Sequence, residues 1–385
     1  MIREVWRIEL GVGVGPFRLG ASIAEVLHAL KSRLPVRPFE IAYDATDPYK
    51  RDIVVNSAED GLKLHFDSVR QTLNAIEFYD VNRVALKFGR VVIFGGEISA
   101  TFMSVYNLFG PTFPGQYVAA EQSYVLGYEG GSVKFPIPAE YLHLYQNGTD
   151  LPMEFPNGAT PAATGFIVYV GEDYRSPGVP TPTKRHYFEE VDVEVGEDHT
   201  TLFYTGRKQQ IQLGWSPQEV ISEIGAPVSV FRKSEDPNDG ATVAGGLVGD
   251  YFHNYPHLGL DILYDSMHRA SKVILKTNAL GHPDFGAYNK CNFRISFQSS
   301  VALQKSGISK KTSSEITPQT PWKDIRLVFG GASDLRPIVH DNGLGLHPFG
   351  SSLCYSPTPG CIFEVMKNGF IASVTLIFCS KTSDV

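Results

Sequence analysis

Few residues in this chain have the spacing to do chemistry. His253 and His257, in HNYPH, stand four apart, a separation at which two imidazoles can share a metal ion or divide acid and base work, and His282 and Cys291 follow downstream. Pro256 falls between the pair and denies them a continuous helical face, and no carboxylate-rich motif accompanies them, so they also read as plain turn histidines. Asp67 and Asp265 each close an alternating apolar run. A carboxylate at such a turn ordinarily accepts neighbouring backbone N–H groups, with general acid–base work as the alternative. GVGVGPFRLG (11–20) offers glycines two apart but is no phosphate loop: Pro16 stands where a dinucleotide motif needs its third glycine, and no Lys-Ser or Lys-Thr pair follows. Neither a G-x-S-x-G elbow nor H-E-x-x-H occurs.

Binding leaves other marks. Two loops are rich in aromatic residues and proline: GPTFPGQY (110–117), with Phe113 and Pro114, and GHPDFGAYNKCNF (281–293), with Phe285 and Tyr288. Exposed, these residues would anchor a protein interface; folded inward, they are core. Arg207-Lys208 and Lys184-Arg185-His186 are the basic clusters that anionic lipid could use, and both are short.

Composition narrows the classes. The formal charge is −7 and the pI about 5.9, which argues against general affinity for nucleic acid or anionic membrane. Apolar residues make up 43% and charged ones 19%, an ordinary globular balance, and an aromatic share of 12% favours strands over a helical bundle. Cys291, Cys354, Cys361 and Cys379 show no C-x-x-C spacing, so neither a zinc site nor a disulfide framework is expected, and buried thiols in a reducing compartment are. No metal or cofactor is expected. No stretch approaches the run of 18 or more apolar residues that spans a membrane, and MIREVWRIEL lacks the apolar core of a signal peptide, so a cytoplasmic protein is expected.

The elements that must position these residues recur along the chain. PFRLGASIAEVLHAL (16–30) returns as QIQLGWSPQEVISEI (210–224), each with Ser three places before Glu, a capping box ahead of an apolar helical stripe. GLKLHFDSVRQTLNAIEF (61–78) aligns without a gap on GLDILYDSMHRASKVILK (259–276), each a pair of strands around a polar turn. Two fainter units pair 98–115 with a hairpin turning at Gly130-Gly131, and WKDIRLVFGGASDLRPIVHD with a hairpin turning at Asn368-Gly369. The fold class expected is α+β, with repeated units of a short helix packed on an antiparallel, hairpin-rich sheet. Expected boundaries are a lobe over 1–142, a Pro-rich connector with added strands over 143–205, a unit over 206–298, a mobile loop over 299–320 and a last unit over 321–385. SEDPNDGATVAGG (234–246) is a second expected mobile loop.

The phrases VGPFRLG, SATFMSVYNLFGPTFPG, GGSVKFPIP, LPMEFPNGATP, GDYFHNYPHLGLDILYD and TNALGHPDFGAYNKCNF resemble those of the phagosome assembly factor family, across essentially the whole chain. The resemblance implies a complex with a β-propeller protein, the breast-carcinoma-amplified sequence 3 protein, and association with forming autophagosomes, at the preautophagosomal structure. It assigns phosphoinositide recognition to the propeller and carries over no catalytic residue. Together these observations point to a non-enzymatic scaffold. The alternatives are a hydrolase-type enzyme with a site between units, using Asp265, His253 or His257, and a trafficking protein that binds phosphoinositide directly through Arg207 and Lys208.

Overall fold

The structure, a computed structural model, describes residues 5–96, 98–110, 112, 115–145, 151–184, 186–233, 249–298, 315–330, 335–340 and 351–378. The chain divides into two compact units, one of residues 1–44 and 48–184 and the other of 45–47 and 185–385. Phe113, Pro114, Cys379 and the loops 234–246 and 299–314 lie outside the described residues.

In unit 1 the chain forms β1 (Val5–Glu9), β2 (Gly13–Val14), β3 (Phe17–Arg18), helix α1 (Ile23–Lys31) and a meander of β4 (Glu40–Ala42), β5 (Ile53–Ser57), β6 (Leu62–Phe66) and β7 (Leu73–Phe78). Then come β8 (Ala85–Phe88), β9 (Val91–Phe94), helix α2 (Phe102–Phe109), β10 (Gln116–Val118), β11 (Ser123–Tyr128), β12 (Gly131–Pro136), the one-turn helix α3 (Leu142–Tyr145) and β13 (Gly165–Tyr169). A five-stranded sheet runs β3-β2-β1-β8-β9, and an eight-stranded sheet runs β4-β5-β6-β7-β13-β12-β11-β10.

Unit 2 has β14 (Glu190–Val195), β15 (Thr200–Tyr204), β16 (Gln209–Gln212), helix α4 (Pro217–Ile224), β17 (Ser229–Arg232), β18 (Tyr251–Tyr255), β19 (Leu260–Tyr264) and β20 (Ala270–Lys276). It continues with β21 (Asn292–Phe297), helix α5 (Trp322–Val328), β22 (Ile338–His340), β23 (Ser352–Thr358), β24 (Cys361–Val365) and β25 (Ile371–Ile377). Its sheets run β16-β15-β14-β21 and β17-β18-β19-β20-β25-β24-β23-β22. Apart from β9, which has no counterpart among the described residues of unit 2, the strand order is that of unit 1, down to the parallel pairing of the first strand with the strand that follows the first meander: β1 with β8, β14 with β21.

Local sequence explains these elements. The glycine-rich stretch is a tight β2–β3 hairpin in which Val14 pairs with Phe17. Gly15 takes φ +55°, and a Cβ there would meet the Trp6 ring at 2.6 Å, so the turn needs glycine for both reasons. Ser22 Oγ accepts the Glu25 N–H at 3.2 Å and starts α1, while the Glu25 carboxylate pairs with Lys184. In α4 the box closes on both sides, Glu219 Oε2 accepting the Ser216 N–H at 2.8 Å. The hairpin of β11 and β12 turns at Glu129–Gly130, one residue before the expected Gly130-Gly131, since Tyr128 already faces Gly131. The ungapped alignment of 61–78 on 259–276 also slips by one. Leu62 faces Phe78 while Leu260 faces Leu275, because the turn after Phe66 carries one more residue than the turn after Tyr264.

The cores lie between helices and sheets. In unit 1, Phe17 and Phe78 sit 5.5 and 6.1 Å from Trp6, edge to face. The Arg33 guanidinium covers Trp6 at 4.7 Å and also bonds the fully buried Asp60 at 2.7 Å. Within the Pro-rich stretch, β13 is buried along its whole length and joins the two meanders. Ile316, in the stretch expected to be a mobile loop, is buried and exchanges two backbone bonds with Ile295. Phe166, fully buried 5.4 Å from Phe94, should cost about 3–5 kcal/mol when cut to Ala, against about 1 kcal/mol for removal of the Ser216 cap by Ala; urea unfolding of both variants checks the ratio.

Candidate functional site

Each eight-stranded sheet has one face toward its core and one face outward, and the outward faces carry the charged side chains. In unit 2 this face is covered by the segment 277–291 between β20 and β21, the loop that holds Phe285 and Tyr288. The Tyr288 hydroxyl donates to both Asp261 oxygens at 2.8 and 2.9 Å, and the Asn254 amide donates to the same carboxylate at 2.8 Å. Asp261 is buried, and desolvation raises its pKa against those bonds. Lys276 reaches Asp284 at 3.0 Å and lies 5.3 Å from the Tyr288 ring. Phe285 is half-buried, its N–H donating to the His282 carbonyl. Tyr288 therefore acts as a tie between this strap and the sheet.

A second tie lies across β23, β24 and β25. Glu364 accepts from Ser352 Oγ at 2.6 Å, Ser373 Oγ at 2.7 Å and His282 Nε2 at 3.2 Å. His282 Nδ1 accepts the Asp284 N–H, so the ring's proton belongs on Nε2, facing the carboxylate. Desolvation raises the Glu364 pKa, but the bonds from His282, Ser352 and Ser373 outweigh it and hold the carboxyl at about 2. Serine, histidine and glutamate meet here, yet both hydroxyls donate to the carboxylate and neither faces the imidazole, so no base is placed to activate a nucleophile.

The remaining candidate acid–base groups are spread apart. His257 sits in the turn between β18 and β19, with its ring 5.2 Å from His186, while Asp265 lies beyond the far end of β19, the length of a five-residue strand or about 17 Å away. Asp265 Oδ1 accepts the N–H groups of Met267 and Arg269 at 2.9 Å, which is a turn carboxylate's work. His253 is 6% exposed beneath Tyr251 and Tyr264, and burial lowers its pKa. No group of three or more potential metal ligands occurs among the described residues. The thiols of Cys291 and Cys361 are buried and their pKa values raised, Cys291 to about 12, so neither is a ready nucleophile.

Arg207 and Lys208 stand in the turn between β15 and β16. Arg207 Nε bonds Glu189 Oε2 at 2.6 Å, its backbone N–H bonds the other oxygen at 2.7 Å, and the guanidinium lies 4.7 Å over the Tyr204 ring. Lys208 is exposed, at φ +56°.

In unit 1 the link from β7 to β8 is only six residues, and the outward face is more open. Glu77 on β7 meets His65 Nε2 at 3.0 Å and Lys134 Nζ at 3.2 Å. Lys134 continues to Glu121 at 2.6 Å, which accepts the Tyr174 hydroxyl at 2.9 Å. The His65 hydrogen bond leads, with Lys134 reinforcing it, in holding the Glu77 carboxyl at about 2. Beside this ladder, at the β10 edge, lies a recess of about 210 Å³ lined by Val118, Val125, Ser132, Glu172, Tyr174 and Arg175, among others.

A family model described as Phagosome assembly factor 1 matches residues 13–377. The chain belongs to this family. A PHAF1 protein of Arabidopsis thaliana is 35% identical over 394 residues, covering 97% of this chain and 92% of the relative. One of Drosophila melanogaster is 31% identical, covering 96% and 92%, and one of Caenorhabditis elegans is 28% identical, covering 88% and 84%. No helix among the described residues is long and apolar enough to cross a membrane.

The strap's ties escape motif reading, although each leaves a trace: Asp261 and Glu364 interrupt the apolar strands LDILY and CIFEV, where a charge must find a partner. A carboxyl held below its usual 4.5 stabilises the fold fully above that pH and loses this contribution as the pH falls towards 2. Glu364→Gln should therefore cost roughly 3 kcal/mol at pH 7. In urea unfolding at pH 7 and pH 3, the gap between parent and variant should narrow at the lower pH.

Proposed function

We propose that this chain is a non-enzymatic scaffold of autophagy that forms a complex with a β-propeller protein of the breast-carcinoma-amplified sequence 3 type and associates with forming autophagosomes. One observation carries the reading: a model described as Phagosome assembly factor 1 covers residues 13–377, with relatives of that name in a plant, a fly and a worm. The disposition of the titratable residues supports it. Asp265 serves its turn, Glu364 and Asp261 hold the strap, and His253 is packed among tyrosine rings, so the groups an enzyme would gather are dispersed on structural duties. Such a chain works by offering surface, and membrane contact comes mainly through the propeller.

A specific interface of this kind buries about 1,200–2,000 Å² in total. The purified chain and a propeller of this type should co-elute in size-exclusion chromatography, and separate elution at micromolar concentration would overturn the reading. Phe113→Ala or Phe285→Ala should weaken the complex by about 2 kcal/mol, some thirtyfold in Kd, if these loops form the contact. Unchanged affinity in both variants would place the contact elsewhere. Direct lipid binding through Arg207 and Lys208 is the second reading. Flotation of the isolated chain with phosphoinositide vesicles tests it, with Lys208→Gln as the informative variant because Arg207 is engaged by Glu189.

A further inference from the structure

The recess at the β10 edge of unit 1 has a composition that selects its occupant. Val118 and Val125 give it an apolar floor, and Gly127, opposite Ser132 in the β11–β12 ladder, leaves that floor without a side chain at one position. Arg175 forms one wall and is fixed there, Nε bonding Asp173 at 3.1 Å and Nη2 bonding Gln116 at 3.2 Å. Asp173 is thereby neutralised. Glu172, exposed on the rim, has no hydrogen-bond or ion-pair partner for its carboxylate among the described residues. The lining thus combines an apolar floor with one uncompensated negative charge.

Size decides between classes of occupant. At about 210 Å³ the recess is smaller than small-molecule sites, which run about 300–1,000 Å³, and suits a single long side chain. Position agrees with this. β10 is the terminal strand of its sheet, so an extended segment laid along it would present alternate side chains to the outward face, where Gln116 and Val118 already point. A side chain with an apolar stem and a cationic head fits both floor and rim, and a planar guanidinium matches a carboxylate with two parallel bonds where an ammonium makes a point contact.

We infer that this recess receives an arginine side chain from an extended segment of a protein partner, its stem on Val118 and Val125 and its head at Glu172. The inference rests on the scaffold reading above, since it needs a protein partner, and it adds the chemistry by which one contact is recognised.

The test uses the full chain, isotope-labelled, titrated with Nα-acetyl-arginine amide and with Nα-acetyl-norleucine amide as the uncharged control, followed by amide chemical shifts. The arginine derivative should give saturable shifts at Gln116, Ser132 and Glu172, and the norleucine derivative should not. Glu172→Gln, which alters an exposed side chain that makes no bond, should weaken the arginine derivative about threefold to fivefold, as an exposed ion pair is worth, and about 0.5 M salt should do the same. Equal shifts with norleucine, shifts confined to other regions, or unchanged affinity in the glutamine variant would each overturn the site. The probe needs no partner, so its failure while the propeller complex still forms removes this site and leaves the scaffold standing.

Discussion

The antiparallel pairing of the last strands of two meanders holds each unit together. In unit 1, Phe78 faces Phe166 and Glu77 faces Ile167; in unit 2, Val273 faces Leu376 and Ile274 faces Thr375. A meander of four strands alone would present a long edge of unpaired N–H and C=O groups. Joined through β7–β13 or β20–β25, those edges disappear into the middle of an eight-stranded sheet, and only the short strands β4, β10, β17 and β22 are left at the rims. The central strands can then be buried on both sides, as β13 and β19 are, provided that something covers the outward face.

How each unit provides that cover separates them. In unit 2 the segment between β20 and β21 is long enough to fold across the sheet, and its ties to Asp261 and Glu364 place two carboxylates under a roof. Burying such groups is costly unless their hydrogen bonds are complete, so the three donors on Glu364 and the three bonds at Asp261 are conditions for the roof to exist. Unit 1 lacks the segment, and its charges pair with one another along the sheet. Register places Lys134 of β12, facing Val125, where Glu364 of β24 faces Cys354, and the lysine is balanced by Glu77 and Glu121 along the surface. The same strand order thus gives one sheet whose outward face is tied down by a long strap and one whose outward cluster of Ala75, Ile167 and Tyr169 is covered by Tyr174.

Local features were legible in the sequence because their causes are local. Ser22 and Ser216 cap their helices, the glycine-rich stretch is a hairpin, Asp265 serves a turn, and FIVYV is a buried strand in a Pro-rich region. The mixed, strand-rich α+β class follows from such features together. What periodicity does not encode is the partner across a distance. The pairing of residue 78 with residue 166, the reach of Tyr288 to Asp261, and the capture of Arg207 by Glu189 each depend on elements being placed first. The slip between the two turns was hidden for a related reason. A single extra residue before Leu73 shifts every later pairing while leaving the composition of the strand unchanged, and because both hairpins carry the same one-residue bulge the shift runs the length of the ladder.

Electrostatics sets what direct contact with an anionic membrane would require of this chain. With a formal charge of −7, approach to an anionic surface is opposed at long range, and attraction requires a local cluster of cations free to face it. At the basic turn between β15 and β16, the Arg207 charge is spent on Glu189, whose side chain is 6% exposed, and one lysine remains. A single exposed lysine is worth about 1 kcal/mol at such a surface, far below what holds a protein there. Stable recruitment through this turn would need several more cations beside it, or cations supplied by another protein. The acidic balance and the paired arginine therefore leave this turn with little attraction of its own for an anionic surface.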